Sequence, residues 1–195
     1  MYWQYLNTPL SSVDFTELLK QNKDTVGWLI VNNTNITYPV VQTTNNDYYL
    51  THAFNRSKNY AGWVFADYRN KFDGTDQNII IYGHNTMDGS MFGSLKNILK
   101  KEWYTNQDNL EVTLITDKEL DTYRVFSIYQ IEAEDYYVQT GFKNEESYKK
   151  YIETVKSRSI YNFNEDVKAN QILTLSTCSE TGKERVVLHA QIINK

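Results

Sequence analysis

The stretch QILTLSTC at residues 171–178 holds the one cysteine of the chain. Its mixture of apolar and β-branched residues favours a strand. Strand side chains alternate between two faces, so every second residue from Ile172 to Cys178 shares one face, and the leucines point to the opposite, apolar side. A second strand, RVVLHAQI at 185–192, follows a short polar loop. If the two strands pair, the thiol of Cys178 lies near the guanidinium of Arg185.

The composition predicts a single domain over residues 1–195 that is rich in strands. Aromatic residues make up 14% and there are only two prolines, which favours strands over disorder. The formal net charge of −4 gives no basic footprint, so we expect no nucleic-acid partner. One cysteine excludes an internal disulfide, and three scattered histidines form no ligand-spaced cluster, so we expect no bound metal.

Strand patterns recur along the chain between turn-rich segments. They occupy residues 26–31, 36–42, 61–68, 78–82, 110–116, 122–132, 171–178 and 185–192. Besides one or two helical turns at 46–54 and an amphipathic segment at 90–103, two helices are predicted. The first spans 11–22, where Ser11 and Asp14 form a capping-box pattern, and the second spans 145–158, where apolar residues recur at helical spacing.

These elements predict a mostly β fold. Seven or eight strands with few helices favour a closed or nearly closed antiparallel barrel, because closure removes exposed strand edges. We expect residues 1–24 to form an N-terminal helical segment packed on the barrel, and the later helix to precede the strand that carries Cys178.

Cys178 and His84 are the candidate reactive residues. The nucleophilic form of a cysteine is its thiolate, and a neighbouring cation or base favours the thiolate over the thiol. His84 follows the apolar strand at 78–82 and precedes a turn-rich segment, a place where folds commonly carry site residues. Taken alone, the cysteine could be a small buried hydrophobe, and His84 could be a strand-end histidine bonded to a backbone carbonyl. We interpret His52 and His189 as structural.

Three motifs, in their order along the chain, resemble a known family. They are YGHN at 82–85 with DGSMF at 88–92, and then TLSTC at 174–178 followed by Arg185. This combination is similar to the sortases, and most similar to class B sortases. The resemblance covers nearly the whole chain, and it implies a sortase-like β-barrel.

The resemblance implies a cysteine transpeptidase or endopeptidase that needs no cofactor. Cys178 would attack the threonine carbonyl of a C-terminal sorting signal, and an amine of a peptidoglycan precursor would resolve the thioester. His84 would move the protons, and Arg185 would stabilise the oxyanion. Lys183 is a second cation near Arg185, but the fixed fork of an arginine suits a charged oxygen better.

Four further residues are predicted to bind the substrate. Ser176 and Thr177 precede the cysteine, although Ser176 could equally be a strand serine that is bonded locally. Asn46 and Leu50 border the sorting-signal groove by resemblance. The sorting motif itself, LPxTG-like or NPxTN-like, stays open.

The resemblance also implies where in the cell the protein acts, and it leaves three alternative functions open. We expect a membrane-anchored enzyme on the outer face of a Gram-positive bacterium, whose N-terminal anchor is absent from these 195 residues. The alternatives are a hydrolytic cysteine peptidase, a pilus-polymerising sortase, and a non-catalytic binding module on the same fold.

Overall fold

The computed structural model describes residues 13–177 and 183–194 in full and Cys178 by its main chain. The strands of these residues are β1 Thr25–Val31, β2 Thr37–Val41, β3 Phe65–Ala66, β4 Asn78–His84, β5 Glu111–Ile115, β6 Leu120–Glu132, β7 Ile172–Cys178 and β8 Glu184–Asn194. They form a closed barrel in the order β1-β2-β3-β4-β7-β8-β6-β5. The helices are α1 Phe15–Gln21, α2 Lys101–Tyr104 and α3 Glu145–Arg158, and short 3₁₀ helices occupy Tyr48–Leu50, Leu95–Leu99 and Gln107–Asn109. The prediction of a mostly β, closed barrel is confirmed.

The expectation that all strands are antiparallel is wrong. β4 pairs with β7 in parallel over seven residue pairs, and β2 meets β3 in parallel at a single pair. A parallel pair requires a long crossover connection, and the chain between β4 and β7 supplies one. This crossover contains α3, the helix predicted before the cysteine strand.

Both long helices form for reasons that are visible in the sequence. In α3, Asn144 and Ser147 form a reciprocal capping box, and the buried residues Tyr148, Tyr151, Ile152 and Val155 line one face. In α1 the N-cap is Asp14, whose carboxylate accepts a hydrogen bond from the Glu17 amide at 3.1 Å. The predicted cap Ser11 and the rest of residues 1–12 lie outside the described part of the chain.

β7 is buried on both faces, which fixes its register. Leu173 and Leu175 are fully buried in the core cluster that fills the barrel. On the other face an apolar layer, here called the outer cluster, packs between the barrel wall and α3. It consists of Phe126, Tyr129, Tyr137, Tyr148, Tyr151, Ile152, Val155, Ile172 and Val187. A one-residue slip of β7 would place polar groups in the barrel, so the register is strongly specified.

The strand predicted over 61–68 is mostly irregular, and this prediction is wrong except at β3. The Gly62 amide donates to the Asn59 carbonyl, and the Trp63 amide donates to the Tyr49 carbonyl. After β3, Asp67 begins a turn that closes on the Asn70 amide. These bonds occupy the backbone groups that a longer strand would need for its hydrogen bonds.

Within the described residues, no helix has the length and apolar character of a membrane span.

His189 lies in the wall between the two apolar layers and is fully buried. Its Nε2 shares a hydrogen bond of 2.8 Å with the Tyr129 hydroxyl, and its Nδ1 shares one of 2.9 Å with the Thr174 hydroxyl. Burial disfavours the charged ring and lowers the pKa of His189 to about 3. The ring therefore has the neutral, bonded environment of a structural histidine.

We predict that His189 makes the fold less stable in acid. An unfolded histidine titrates near a pKa of about 6.5, so the unfolded chain binds this proton more tightly than the fold does. The stabilisation by neutral His189 is complete above pH ~6.5 and declines, by about 1.4 kcal/mol per pH unit, as the pH falls toward the folded pKa of about 3. Urea unfolding of the native protein and His189→Gln, compared from pH 7 to pH 4, should show their stability difference shrinking with falling pH. A constant difference would contradict the prediction.

Candidate active site

The ends of β4 and β7 bring two candidate residues together. The strands run parallel and in register from Asn78↔Ile172 to His84↔Cys178. Neighbouring strands lie about 4.8 Å apart, so the main chain of Cys178 is directly beside that of His84. The predicted proximity of the cysteine and histidine positions therefore follows from the backbone alone.

Arg185 lies on the strand at the other side of β7. β7 and β8 are antiparallel, and their described pairing ends at Ser176↔Val187. In an antiparallel pair, one step forward on one strand is one step back on the other. Two residues beyond this pair, the next residues on the same face are 178 on β7 and 185 on β8. His84 and Arg185 thus occupy the two strands that flank Cys178, at the level of its end of β7.

The side chains of His84 and Arg185 lie on the same face of the barrel wall. Paired residues of neighbouring strands share a face, and this face recurs every second residue. Tyr82 pairs with Ser176, and Ser176 pairs with Val187, which belongs to the outer cluster. Moving two residues toward the strand ends leads to His84 and Arg185, so both side chains are on the outer side of the barrel.

The imidazole of His84 is half-buried and uses one of its two nitrogens. Nε2 donates a hydrogen bond of 2.8 Å to the Leu50 carbonyl, because a carbonyl can only accept. Nδ1 is buried and has no hydrogen-bond partner among the described residues. The carbonyl bond expected of a strand-end histidine is therefore present, and it leaves the second nitrogen available for proton transfer.

Arg185 also has a buried donor without a described partner. Its Nη1 makes no hydrogen bond within the described residues, although the side chain is half-buried. A guanidinium nitrogen can only donate, so an oxygen atom is the kind of group that can pair with Nη1. Lys183 is exposed by comparison. The burial difference favours Arg185 as the site cation.

The motif that contains His84, residues 82–85, is hydrogen-bonded to the motif that follows it, residues 88–92. The turn after His84 folds back so that the Phe92 amide donates to the His84 carbonyl at 2.9 Å and Asn85 pairs with Met91. The Phe92 ring packs on Gly83, where an added Cβ would approach it to 2.7 Å. A glycine before the histidine is therefore needed for this close packing.

The four predicted substrate-binding residues differ in accessibility. Ser176 and Thr177 are each 1% exposed. The Ser176 hydroxyl is 2.8 Å from the Tyr137 hydroxyl, and the Thr177 hydroxyl accepts a bond from the Val186 amide. These bonds are structural, and a substrate contact by either residue stays a prediction.

Leu50 and Asn46 are half-buried, and the Leu50 side chain packs against the core cluster. Leu50 is beside His84 through its carbonyl. The Asn46 amide donates to Asp67 at 3.1 Å, and its oxygen accepts from the Tyr68 amide. Their contact with a substrate also stays a prediction.

Asp67 is a buried residue that sequence reasoning missed. Its carboxylate is unexposed and accepts bonds from Arg69 Nε at 2.8 Å and from the Tyr82 hydroxyl at 2.9 Å. Burial alone would raise its pKa, but the bonds from Arg69, Tyr82 and Asn46 hold the pKa of Asp67 below its usual range. The residue fixes Asn46 relative to β4, and no local sequence pattern marks it.

The remaining histidines lie outside this constellation. His52 stacks on the Tyr48 ring at 4.1 Å and bonds the Tyr48 carbonyl through Nδ1. His189 is under α3. In the part of the chain that the structure describes, no three histidine, cysteine or acidic side chains are grouped so that they could hold a metal ion.

Known proteins share both the fold and this arrangement of strands. The Sortase domain family matches residues 29–193. Sortase B of Listeria monocytogenes is 38% identical over 187 residues, which cover 93% of this chain and 75% of the relative.

Solved sortase B structures superpose closely on the barrel. The Staphylococcus aureus sortase B–substrate complex gives a TM-score of 0.85 at 34% identity and covers 92% of this chain and 84% of that one. A sortase B structure complexed with triglycine gives 0.86 at 34% identity, with 92% and 85% coverage. Family match, sequence identity and fold agree over nearly the full described chain, and we conclude that this chain belongs to the sortase family and, within it, to class B.

Proposed function

We propose that this class B sortase joins secreted proteins to the cell wall through Cys178, His84 and Arg185. The observation that carries the assignment of roles is the register His84↔Cys178 at the shared end of β4 and β7, with Arg185 on the next strand. The resemblance of the three motifs and the sortase B relatives support the same assignment.

The first half-reaction forms a thioester. The Cys178 thiolate attacks the carbonyl carbon of the threonine in the sorting signal, and a tetrahedral intermediate results. On its collapse the carbon–nitrogen bond breaks, and the His84 imidazolium gives its proton to the leaving amine. The C-terminal fragment departs, and the acyl group stays on sulfur.

The second half-reaction restores the enzyme. The amine of a peptidoglycan precursor attacks the thioester carbonyl and loses a proton to neutral His84. The carbon–sulfur bond then breaks, so thiolate and imidazolium are regenerated and a new amide is formed. Neither a metal nor a redox cofactor is required for this sequence.

Arg185 would stabilise the oxyanion in both half-reactions. Its half-buried guanidinium is on the outer face beside the cysteine strand, and its Nη1 has no hydrogen-bond partner within the described chain. A donor held in place before the reaction stabilises developing charge without reorganisation. We place the sorting-signal peptide along the same face, bordered by Asn46 and Leu50.

The partners follow from the same proposal. The sortase B structures in complex with a substrate and with triglycine support a peptide donor and an amine acceptor in general terms. We propose a sorting-signal peptide as the donor and a peptidoglycan precursor amine as the acceptor. The enzyme would then act on the extracellular face of the membrane, where both are found, and be tethered there by a membrane anchor.

We predict that removing the nucleophile or the base abolishes cleavage. Cys178→Ala should lower the cleavage rate by more than ~10⁴-fold, and His84→Ala by about 10²–10⁴-fold. The assay follows fluorogenic pentapeptides of the LPxTG and NPxTN types, which also identifies the preferred motif. Circular dichroism and thermal unfolding confirm that each variant is folded. Near-native turnover by folded Cys178→Ala would end the proposal.

We predict that Arg185→Lys is strongly impaired. A lysine keeps the charge but loses the fork of donors, so kcat/KM should fall by roughly 10²–10³-fold. The matched control is Arg124→Lys. Arg124 is also a half-buried strand arginine, but it pairs with Glu165 at 3.4 Å and is seven residues along β6 from Ile131, the partner of Arg185. Equal kinetics for the two variants would argue against an oxyanion role.

We predict transfer in preference to hydrolysis when an amine is supplied. Adding triglycine to the enzyme and an intact sorting-signal peptide should release the C-terminal fragment and yield a ligated product in which the acyl fragment is joined to triglycine by an amide bond. Mass spectrometry distinguishes this product from the free acid. Only free acid at saturating triglycine would favour the hydrolytic peptidase instead.

A further inference from the structure

The carbonyl that holds His84 belongs to a firmly anchored turn. Leu50 ends the 3₁₀ helix Tyr48–Leu50, and the neighbouring Tyr49 is 1% exposed. The Tyr49 hydroxyl accepts a bond of 2.7 Å from the Asn22 amide and donates one of 2.7 Å to Asp24. The Tyr49 carbonyl accepts from the Trp63 amide at 2.9 Å. The Leu50 carbonyl is therefore positioned by contacts on both sides of the turn.

Gly62 closes the space behind this carbonyl and the imidazole. Its φ of +60° lies in the left-handed region, where a side chain is strained. A Cβ at this position would lie 2.9 Å from His84 Cδ2 and 2.9 Å from the Leu50 oxygen, and closer still to the Tyr49 oxygen. Two of these three atoms belong to backbone, which cannot rotate away. Only a glycine allows the ring and the carbonyl to meet here.

The bond to Leu50 determines which nitrogen can transfer a proton. In the neutral ring, Nε2 must carry the hydrogen that the carbonyl accepts, so Nδ1 has a free lone pair. In the imidazolium both nitrogens carry hydrogens, and the bond from Nε2 persists. The ring can therefore gain and lose a proton at Nδ1 without turning over between the two half-reactions.

We propose that the Leu50 carbonyl and Gly62 together hold His84 as the Nε2–H tautomer, so that Nδ1 is the atom that exchanges protons with the leaving and incoming amines. Leu50, through its main chain, and Gly62 are positioning residues. This assignment rests on the proposed transpeptidation for its catalytic meaning, but the tautomer itself can be measured without any substrate.

The first test uses the unmodified enzyme. In protein labelled with ¹⁵N at histidine, the ring nitrogen shifts at a pH where the ring is neutral report which nitrogen carries the hydrogen, and the His84→Gln spectrum identifies the His84 signals. We expect Nε2 protonated and Nδ1 bare. An Nδ1–H tautomer, or an equal mixture of both forms, would overturn the proposal.

The second test compares two glycines with similar backbones. Gly62→Ala should push the ring from its position and lower kcat by about 10²-fold with little change in KM, because misplacing a catalytic group by about 1 Å has this scale of effect. Gly74→Ala is the matched control. Gly74 has a φ of +85°, but an added Cβ would meet nothing within 4 Å. We expect its kinetics to stay native.

The outcomes separate the two proposals. A native kcat in Gly62→Ala would refute the positioning role, and if this variant does not fold, the ¹⁵N measurement on the unmodified enzyme decides. An Nε2–H tautomer in a protein that transfers no sorting peptide would refute the transpeptidation and support the positioning. Active enzyme with an Nδ1–H ring would refute the positioning alone.

Discussion

The parallel, in-register pairing of β4 with β7 positions the candidate site and divides the barrel wall into its inner and outer faces. It matches seven residue pairs and ends at His84↔Cys178, so the two positions are set by main-chain hydrogen bonds and not by flexible side chains. Any slip of one residue would move the histidine to the inner face of the barrel. The register is secured far from the site, where leucines fill the barrel and aromatic residues of the outer cluster cover the other side.

A buried polar layer connects this register to α3. Thr174 donates to the Asn78 side chain, and the same hydroxyl bonds His189, while Tyr151 donates to the Tyr137 carbonyl. Buried polar groups are tolerated when each finds a partner, and they then specify one arrangement of the wall. Ser176, through its contact with Tyr137, extends the layer to two residues before the end of β7. The polar face that the sequence alternation assigns to β7 is therefore covered by protein over most of its length and approaches the site only at its end.

The sequence predicts those parts of the fold that local patterns encode. The helix at 145–158 is found with its bounds because its cap and apolar face lie within one segment. β7 and β8 are found because apolar runs between turns identify strands. The irregular backbone on both sides of the short β3 and the cap at Asp14 are missed, since backbone bonds within local turns and to the Tyr48–Leu50 turn decide the first and alternative capping residues compete for the second. The site pair His84 and Cys178 is predicted from motifs, whereas the Leu50 carbonyl is 34 residues from His84 and leaves no pattern.

The junction between β2 and β3 is narrow, and the connection between these strands is therefore less constrained than the others. These strands share only the pair Val41↔Phe65, and side chains provide much of the remaining connection. Trp63 donates through its indole to the Pro39 carbonyl, and Gln42 donates to the Asp67 and Asn70 carbonyls. Bonds of this kind do not fix a strand register. The part of this connection between Leu50 and Gly62 can therefore change in length and composition while the barrel stays closed, provided that the Leu50 carbonyl and Gly62 keep their places beside His84.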